Sequence, residues 1–413
     1  MILISLFLYI LSIFLIKKFS NCEKKYLYFH SSLFLFSILG LFLSKNLLLV
    51  FTFLEISIIS VYFLISFCNK AGNFSLVKYY IYMKKFLFYN FLSSTLFLIS
   101  VLGLSINYYN NFNYLSFYYD DIVKSHFYLN KNLEYFLMLS MLVSLLIKFP
   151  IFPFHSWYIK IYKISPNGNF LEVLNILTKV PFYLTLRFLI PFFPETSFCL
   201  SKLIFFLGGL NIFCNFLLAF YKSNLKDIIL YANIAHTGYI LISIYSRNEY
   251  SYIGMFIYLL TNILITSGML IICNILQIKF NTLEIDKIFL NDKFDKILPY
   301  LSFLTLSSMN IPGTGNFIGE LLIIYGLVIN NYVISIFSAF GVVFSTIYNL
   351  RIIQYIFYNF KIFIKDKYNF KDFYLEFLIL FLICFFILYL GIYPKAFIGY
   401  IYNYINFFLE EIN

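Results

Sequence analysis

Apolar runs of about 20 residues, the length an α-helix needs to cross the hydrocarbon of a bilayer, recur from end to end of this 413-residue chain with short polar joints between them. Inside lipid each backbone amide and carbonyl must find its partner within the protein, so such runs fold as helices. They predict crossings near residues 1–16, 28–44, 46–68, 85–106, 134–164, 169–193, 202–221, 228–246, 253–278, 298–329, 333–358 and 373–393. The expected fold is an all-α polytopic membrane protein with about 12 transmembrane helices. A hydrophobic share of 62%, a charged share of 12% and a mean hydropathy of +0.85 leave no separate soluble domain. The opening MILISLFLYILSIFLI lacks a basic stretch before it and a small-residue cleavage site after it, and reads as a retained first helix.

Charge supplies the topology. If the chain weaves through every crossing, 20 lysines between Lys17 and Lys371 collect on one side, against Lys45, Lys124, Lys131, Lys202, Arg247 and Lys395 on the other. The positive-inside rule then puts both termini on the outer face and accounts for the net charge of +11. Two crossings are too long and are interrupted: the fifth by Pro150 and Pro153 just after Lys148, the tenth by Pro312, Gly313 and Gly315 just before Glu320. Paired broken helices in corresponding halves point to an inverted-repeat transporter, and an offset of five crossings makes the second unit enter from the opposite face. The expected organisation is a flanking helix and loop over 1–27, a five-helix repeat over 28–193, an inverted five-helix repeat over 194–358, and a flanking helix and tail over 359–413.

Four ionisable residues lie where lipid disfavours them: Glu55, Lys148, Lys179 and Glu320. A charge at the bilayer centre costs roughly 2.5 to 3.5 kcal/mol even on lenient scales, so such residues face one another or a hydrated path. Two acids and two amines along one membrane chain read as a proton route; a static buried ion pair that fixes packing is the other reading of the same spacing. Desolvation disfavours a buried ammonium and a nearby carboxylate favours it, so an acid and an amine whose separation changes can bind and release a proton. Moving one charge through the field costs about 2.3 kcal/mol per 100 mV, within reach of the swings available to buried groups. Lys226, Lys222 and Lys85 read as snorkelling anchors, and His155 as a structural residue that caps freed backbone groups at the fifth-crossing break. The six cysteines show no ligand spacing and read as small buried hydrophobes, and no nicotinamide, flavin or metal fingerprint is present.

The runs IKFPIFPFHSW, LEVLNILTKVPFYLTLRFLIPFFP, NLKDIILYANIAHTGYILISIY and MNIPGTGNFIGELLIIYG resemble the antiporter-like, proton-pumping chain 4 of NADH:ubiquinone oxidoreductase, respiratory complex I, from about Leu47 to Pro394. The glutamate ending PGTGNFIGE separates this resemblance from the sister chains 2 and 5, where lysine is typical. The resemblance implies a proton relay of Glu55, Lys148, Lys179, His236 and Glu320, with Glu55 and Lys148 as a pair and His236 the central histidine. Three departures stand out. Asn262 lies where the family usually has a second central histidine; the loop YIKIYKISPNG after Trp157 lacks the family's Pro and second His and is assigned no role; and the chain has two helices fewer than the family's fourteen at its amino-terminal end.

The implied function is energy-coupled proton translocation within a larger enzyme. The resemblance assigns no cofactor to this chain and places NADH, FMN, iron-sulphur clusters and ubiquinone in partner subunits. The implied partners are other complex I membrane subunits, chains 2 and 5 above all, together with membrane lipid and no nucleic acid. The load of 55 Phe and 38 Tyr fits an A+T-rich genome, hence an expected mitochondrial inner membrane location with termini on the intermembrane-space side. A multisubunit sodium/proton antiporter and a scaffold that has lost transport are the competing readings.

Overall fold

Among the described residues, helices account for all regular structure apart from two isolated bridge pairs, as a chain that keeps its backbone bonds local in lipid must arrange. A computed structural model describes residues 2, 5–6, 9–10, 24–68, 76–125, 128–165, 169–280, 282–285, 296–330, 332–358 and 373–412. In chain order the elements are α1 (Lys24–Leu43), α2 (Leu47–Cys68), α3 (Leu76–Phe112), α4 (Tyr119–Ser125), α5 (Lys131–Lys148), α6 (Ser156–Ile164), α7 (Asn169–Leu177), α8 (Val180–Leu184), a π-helical turn Thr185–Leu189, α9 (Ile190–Phe192) and α10 (Pro194–Cys199). There follow α11 (Ser201–Tyr221), α12 (Leu225–Tyr245), α13 (Glu249–Phe280), α14 (Leu298–Ser308), α15 (Gly315–Asn330), α16 (Tyr332–Tyr358), α17 (Tyr374–Ile392) and α18 (Lys395–Ile412). Each predicted crossing from the second to the twelfth contains one or more of these helices; the first, at 1–16, falls largely outside the described residues. Nine described spans are long and apolar enough to cross a membrane.

The chain divides into two compact units, Met1–Leu203 and Ile204–Glu411. One local device recurs in both. In the first, Asn46 caps α2 by accepting from the Leu48 amide at 3.0 Å and pairs as an antiparallel bridge with Tyr118. In the second, Asn224 caps α12 by accepting from the Lys226 amide at 3.0 Å and pairs with Glu284. Asparagine serves here because its side-chain oxygen satisfies an orphan amide of the first turn. Within each unit burial separates centre from rim: the spans over Val173–Phe192, Leu225–Tyr245 and Glu249–Lys279 are 89%, 94% and 83% buried, whereas Tyr332–Tyr355 is 33% buried. The rim carries the exposed aromatics, among them Phe88, Phe136, Phe206 and Phe337. The cysteines depart from expectation: of those described, Cys273 is buried, Cys214 and Cys384 are partly exposed on spans whose rim can face lipid, where an apolar thiol needs no burial, and Cys199 is exposed in the joint between the sixth and seventh crossings.

Three crossings are broken. The fifth ends α5 at Lys148 and restarts as α6 at Ser156. The carbonyl of Ile147 is taken by the Trp157 indole at 3.0 Å, and His155, half-buried against Phe152, stands at the N-cap position of α6. The tenth breaks between Ser308 and Gly315 through Asn310 at φ 60° and Gly313 at φ 97°, residue types that tolerate the left-handed region. The sixth crossing breaks as well, which hydropathy and length alone did not predict. Pro181 stands at the start of α8 and Pro191 at the start of α9, and their missing amides leave Lys179 in a turn and force the π-helical turn at Thr185–Leu189. Beyond Pro394, where a tail was expected, the chain forms the 18-residue α18, whose Tyr404 stacks edge-on with Phe256 at 6.4 Å.

In the second unit α13 and α15 touch backbone to backbone. A Cβ on Gly254 would lie 2.6 Å from the Gly319 carbonyl oxygen, one on Gly319 2.7 Å from the Tyr258 amide, and one on Gly326 2.7 Å from the Ser251 amide. Small residues let membrane helices approach this closely, where dispersion and packing supply the attraction that the hydrophobic effect cannot. We expect Gly254→Leu to destabilise the folded chain by more than the ~1–3 kcal/mol of ordinary overpacking, because the neighbours are backbone atoms that cannot turn aside. Thermal unfolding in detergent measures it, and an unchanged midpoint contradicts the packing described.

Candidate functional site

The first unit holds Glu55, Lys148 and Lys179. Glu55 is half-buried on α2, with Oε1 shielded and accepting no hydrogen bond from the protein. Its charge acts on the Lys148 ammonium, which closes α5 at the first break and is 5% exposed. Lys179, 1% exposed, is the turn residue of the second break. Arg187, two turns further along, serves the packing. Its guanidinium donates to the Phe42 carbonyl at 2.9 Å, as the Tyr183 hydroxyl does at 2.8 Å, tying this crossing to the carboxy-terminal end of α1. The Glu172 side chain lies outside the described residues.

The second unit brings His236 and Glu320 into one polar cluster. His236 Nδ1 is 2.5 Å from the Tyr258 hydroxyl, and the Glu320 carboxylate acts electrostatically on the hydroxyls of Tyr239, Tyr258 and Tyr348. Glu320 is 3% exposed; its Oε2 accepts from the Asn310 side chain, while Oε1 is buried and accepts no hydrogen bond from the protein. Asn310 belongs to the break itself, so the residue that turns the chain also holds the acid. The Thr261 hydroxyl donates to Asn316 Oδ1 at 2.5 Å and fixes the restart of the helix against α13.

A cavity of about 20 Å³ opens beside His236, lined by Asn233, Asn262, Thr266, Tyr348 and Asn349 among others. A water needs ~10–15 Å³ measured this way, so the space takes one or two. Asn262 therefore lines the same small space as His236, together with the apolar side chains of Ile229, Ile265, Met269 and Ile352. Lys226 departs from the anchor expected of it: it is 6% exposed and lies in the electrostatic field of Asp227. Burial of its neighbours on α12 and α13 accounts for this, since those two helices form the centre of the unit.

Trp157, Tyr258 and Asn310 were not singled out in the sequence. Two of the three had a signal: Asn310 stands two residues before Pro312, a turn pattern, and Tyr258 stands one helical turn before Asn262. Trp157 entered only as the residue before the loop that reads YIKIYKISPNG from Tyr158.

Two buried amines and a buried acid at or just after breaks in membrane helices, with a buried imidazole on a central helix, are the marks of an ion-translocating membrane protein. Residues 44–346 match the family described as NADH:quinone oxidoreductase/Mrp antiporter, TM, and the chain belongs to it. It is 33% identical over 413 residues to NADH-quinone oxidoreductase subunit M of Buchnera aphidicola subsp. Schizaphis graminum, covering 98% of this chain and 80% of that one. To the subunit M of Escherichia coli K12 it is 30% identical, covering 80% of this chain and 65% of the other. Its fold is similar to a chain of respiratory complex I from Thermus thermophilus with bound NADH, with a TM-score of 0.83 at 20% identity over 100% of this chain and 83% of that one. It is also similar to a chain of the Mrp complex from Dietzia, with a TM-score of 0.72 at 14% identity over 93% of this chain and 40% of the other.

Asn310 permits a direct check on the second-unit cluster. We expect Asn310→Gly, which keeps the backbone free at positive φ, to cost only the bond to Glu320, about 1–3 kcal/mol, and Asn310→Ala to cost more because the backbone is strained as well. The order of their unfolding temperatures in detergent tests this.

Proposed function

We propose that this chain is a proton-translocating membrane-arm subunit of an NADH:quinone oxidoreductase, moving protons through Glu55, Lys148, Lys179, His236 and Glu320 while quinone reduction elsewhere in the complex supplies the energy. The observation that carries the reading is the placement of Lys148, Lys179 and Glu320, each at most 5% exposed, at or just after breaks in their crossings. Freed backbone groups beside each ion supply the local polarity and give that a continuous helix denies it. Nicotinamide, flavin, iron-sulphur and quinone chemistry then belongs to partner subunits, and this chain contributes acid, base and water.

The finer assignment is to the chain 4 position, with the chain 2 and chain 5 antiporter-like subunits as neighbours; the subunit M relatives support it. The recurrent Asn-capped loops, Asn46 with Tyr118 and Asn224 with Glu284, support two inverted repeats over 28–193 and 194–358. For location, an A+T-rich composition fits any genome under that pressure, and the named relatives are bacterial, which favours a bacterial energy-conserving membrane over the mitochondrial inner membrane. Both termini on the outer face remains the topology that the lysine distribution supports.

The family also takes in Mrp antiporters, so a sodium/proton antiporter subunit is the second reading. Copurification separates the two: flavin and iron-sulphur subunits accompany the first, only membrane subunits the second. Lys148→Ala is expected to leave an assembled complex whose proton pumping and coupled turnover fall by about tenfold or more, the scale of losing a proton-transfer group. Normal pumping by that variant contradicts the relay and favours a scaffold role.

A further inference from the structure

We propose that Tyr258 is itself a proton-transferring residue, its hydroxyl carrying the proton between His236 and Glu320. The inference rests on the relay reading above and adds a member to it. Tyr258 is fully buried, and its hydroxyl is 2.5 Å from His236 Nδ1. On the other side it lies in the field of the Glu320 carboxylate. The backbone contact at Gly319, whose Cβ would stand 2.7 Å from the Tyr258 amide, sets the backbones that carry Tyr258 and Glu320 against each other where α13 meets α15. Of the two Glu320 oxygens, Oε2 is engaged by Asn310, and Oε1 is buried with no hydrogen bond from the protein. That second oxygen is the acceptor the step requires.

The direction of the His236–Tyr258 hydrogen bond follows the charge on the ring. A neutral imidazole with its lone pair on Nδ1 accepts the phenol O–H; a protonated one donates from Nδ1, and the phenol hydrogen is released to turn toward Glu320. In the transfer, the Nδ1–H bond of His236 breaks as an O–H bond forms on the Tyr258 oxygen. The original phenol O–H breaks as its proton passes to Glu320 Oε1, directly or through one water. His236 and Tyr258 end neutral and Glu320 ends as the carboxylic acid, with no change of oxidation state. Tyr239 also reaches the Glu320 carboxylate, but its one hydroxyl proton is donated to the Ser338 carbonyl at 2.8 Å, whereas the Tyr258 hydroxyl faces the His236 ring. Asn262, one turn from Tyr258 on α13, lines the chamber of His236 and has no titrating proton to pass.

The test uses the intact complex in sealed membrane vesicles, with pumping normalised to assembled enzyme. Tyr258→Phe keeps the ring and removes the hydroxyl, and is expected to lower proton translocation by about tenfold. Adding Asn262→His to that variant is expected to restore much of the loss, because an imidazole in the His236 chamber offers another titratable stop; a hydroxyl needed only for packing is not replaced this way. Pumping at the parental rate by Tyr258→Phe, or a loss that Asn262→His leaves untouched, overturns the proposal. Should Tyr258→Phe not assemble, a ring-fluorinated tyrosine at 258, which packs alike and is more acidic, is expected to shift the pH profile of pumping, and an unmoved profile overturns it equally. Lys148→Ala separates the two levels: normal pumping there removes the relay reading altogether, whereas loss there with normal pumping by Tyr258→Phe removes the tyrosine alone.

Discussion

Lipid offers no partner to a broken helix, so every interruption in this chain has to be closed from within the protein. That demand organises the rest. Trp157 takes the Ile147 carbonyl left over at the fifth crossing, Asn310 turns the tenth and holds Glu320, and Thr261 pins Asn316 where that helix restarts. Each repair draws a polar group into the interior and places it beside an ionisable one. The breaks are thus sources of interior polarity as well as of local give.

The same demand divides the helices into two kinds. Those at the rim of each unit present phenylalanine and tyrosine outward and need only be apolar and long. The central ones, near 90% buried, carry Lys179, His236 and Asn262 and tolerate polar side chains only because other protein surrounds them. Where α13 meets α15 the glycines remove the side-chain layer altogether, and the polar cluster is set by the register of two backbones. A cluster positioned in that way moves only if a whole helix moves.

Most of the architecture was legible because hydropathy and length decide crossings, and proline and glycine beside a charge decide breaks. The sixth-crossing break carried the same mark, Pro181 two residues after Lys179, but its run has an ordinary spanning length, so no excess residues drew attention to it. Lys226 was misread because position at a helix start says how far a residue is from water along the axis, not how many neighbours surround it. Tyr258 was hidden by composition: among 38 tyrosines, many of them facing lipid, the one that bonds His236 is distinguished only by three-dimensional register. Glu55 and Lys148 were paired on resemblance; the Glu55 charge acts on Lys148 within the first unit without a hydrogen bond between them.

The chamber beside His236 is so small that its hydration is counted in single molecules. A wide aqueous vestibule fills by degrees; a space for one or two waters is occupied or vacant, and the bridge between Asn233, His236 and Asn262 exists or does not. On the proposed relay, throughput along this stretch is then stepwise, and osmolytes or hydrostatic pressure, which act on the occupancy of small voids, become levers on transport without touching a single titrating group.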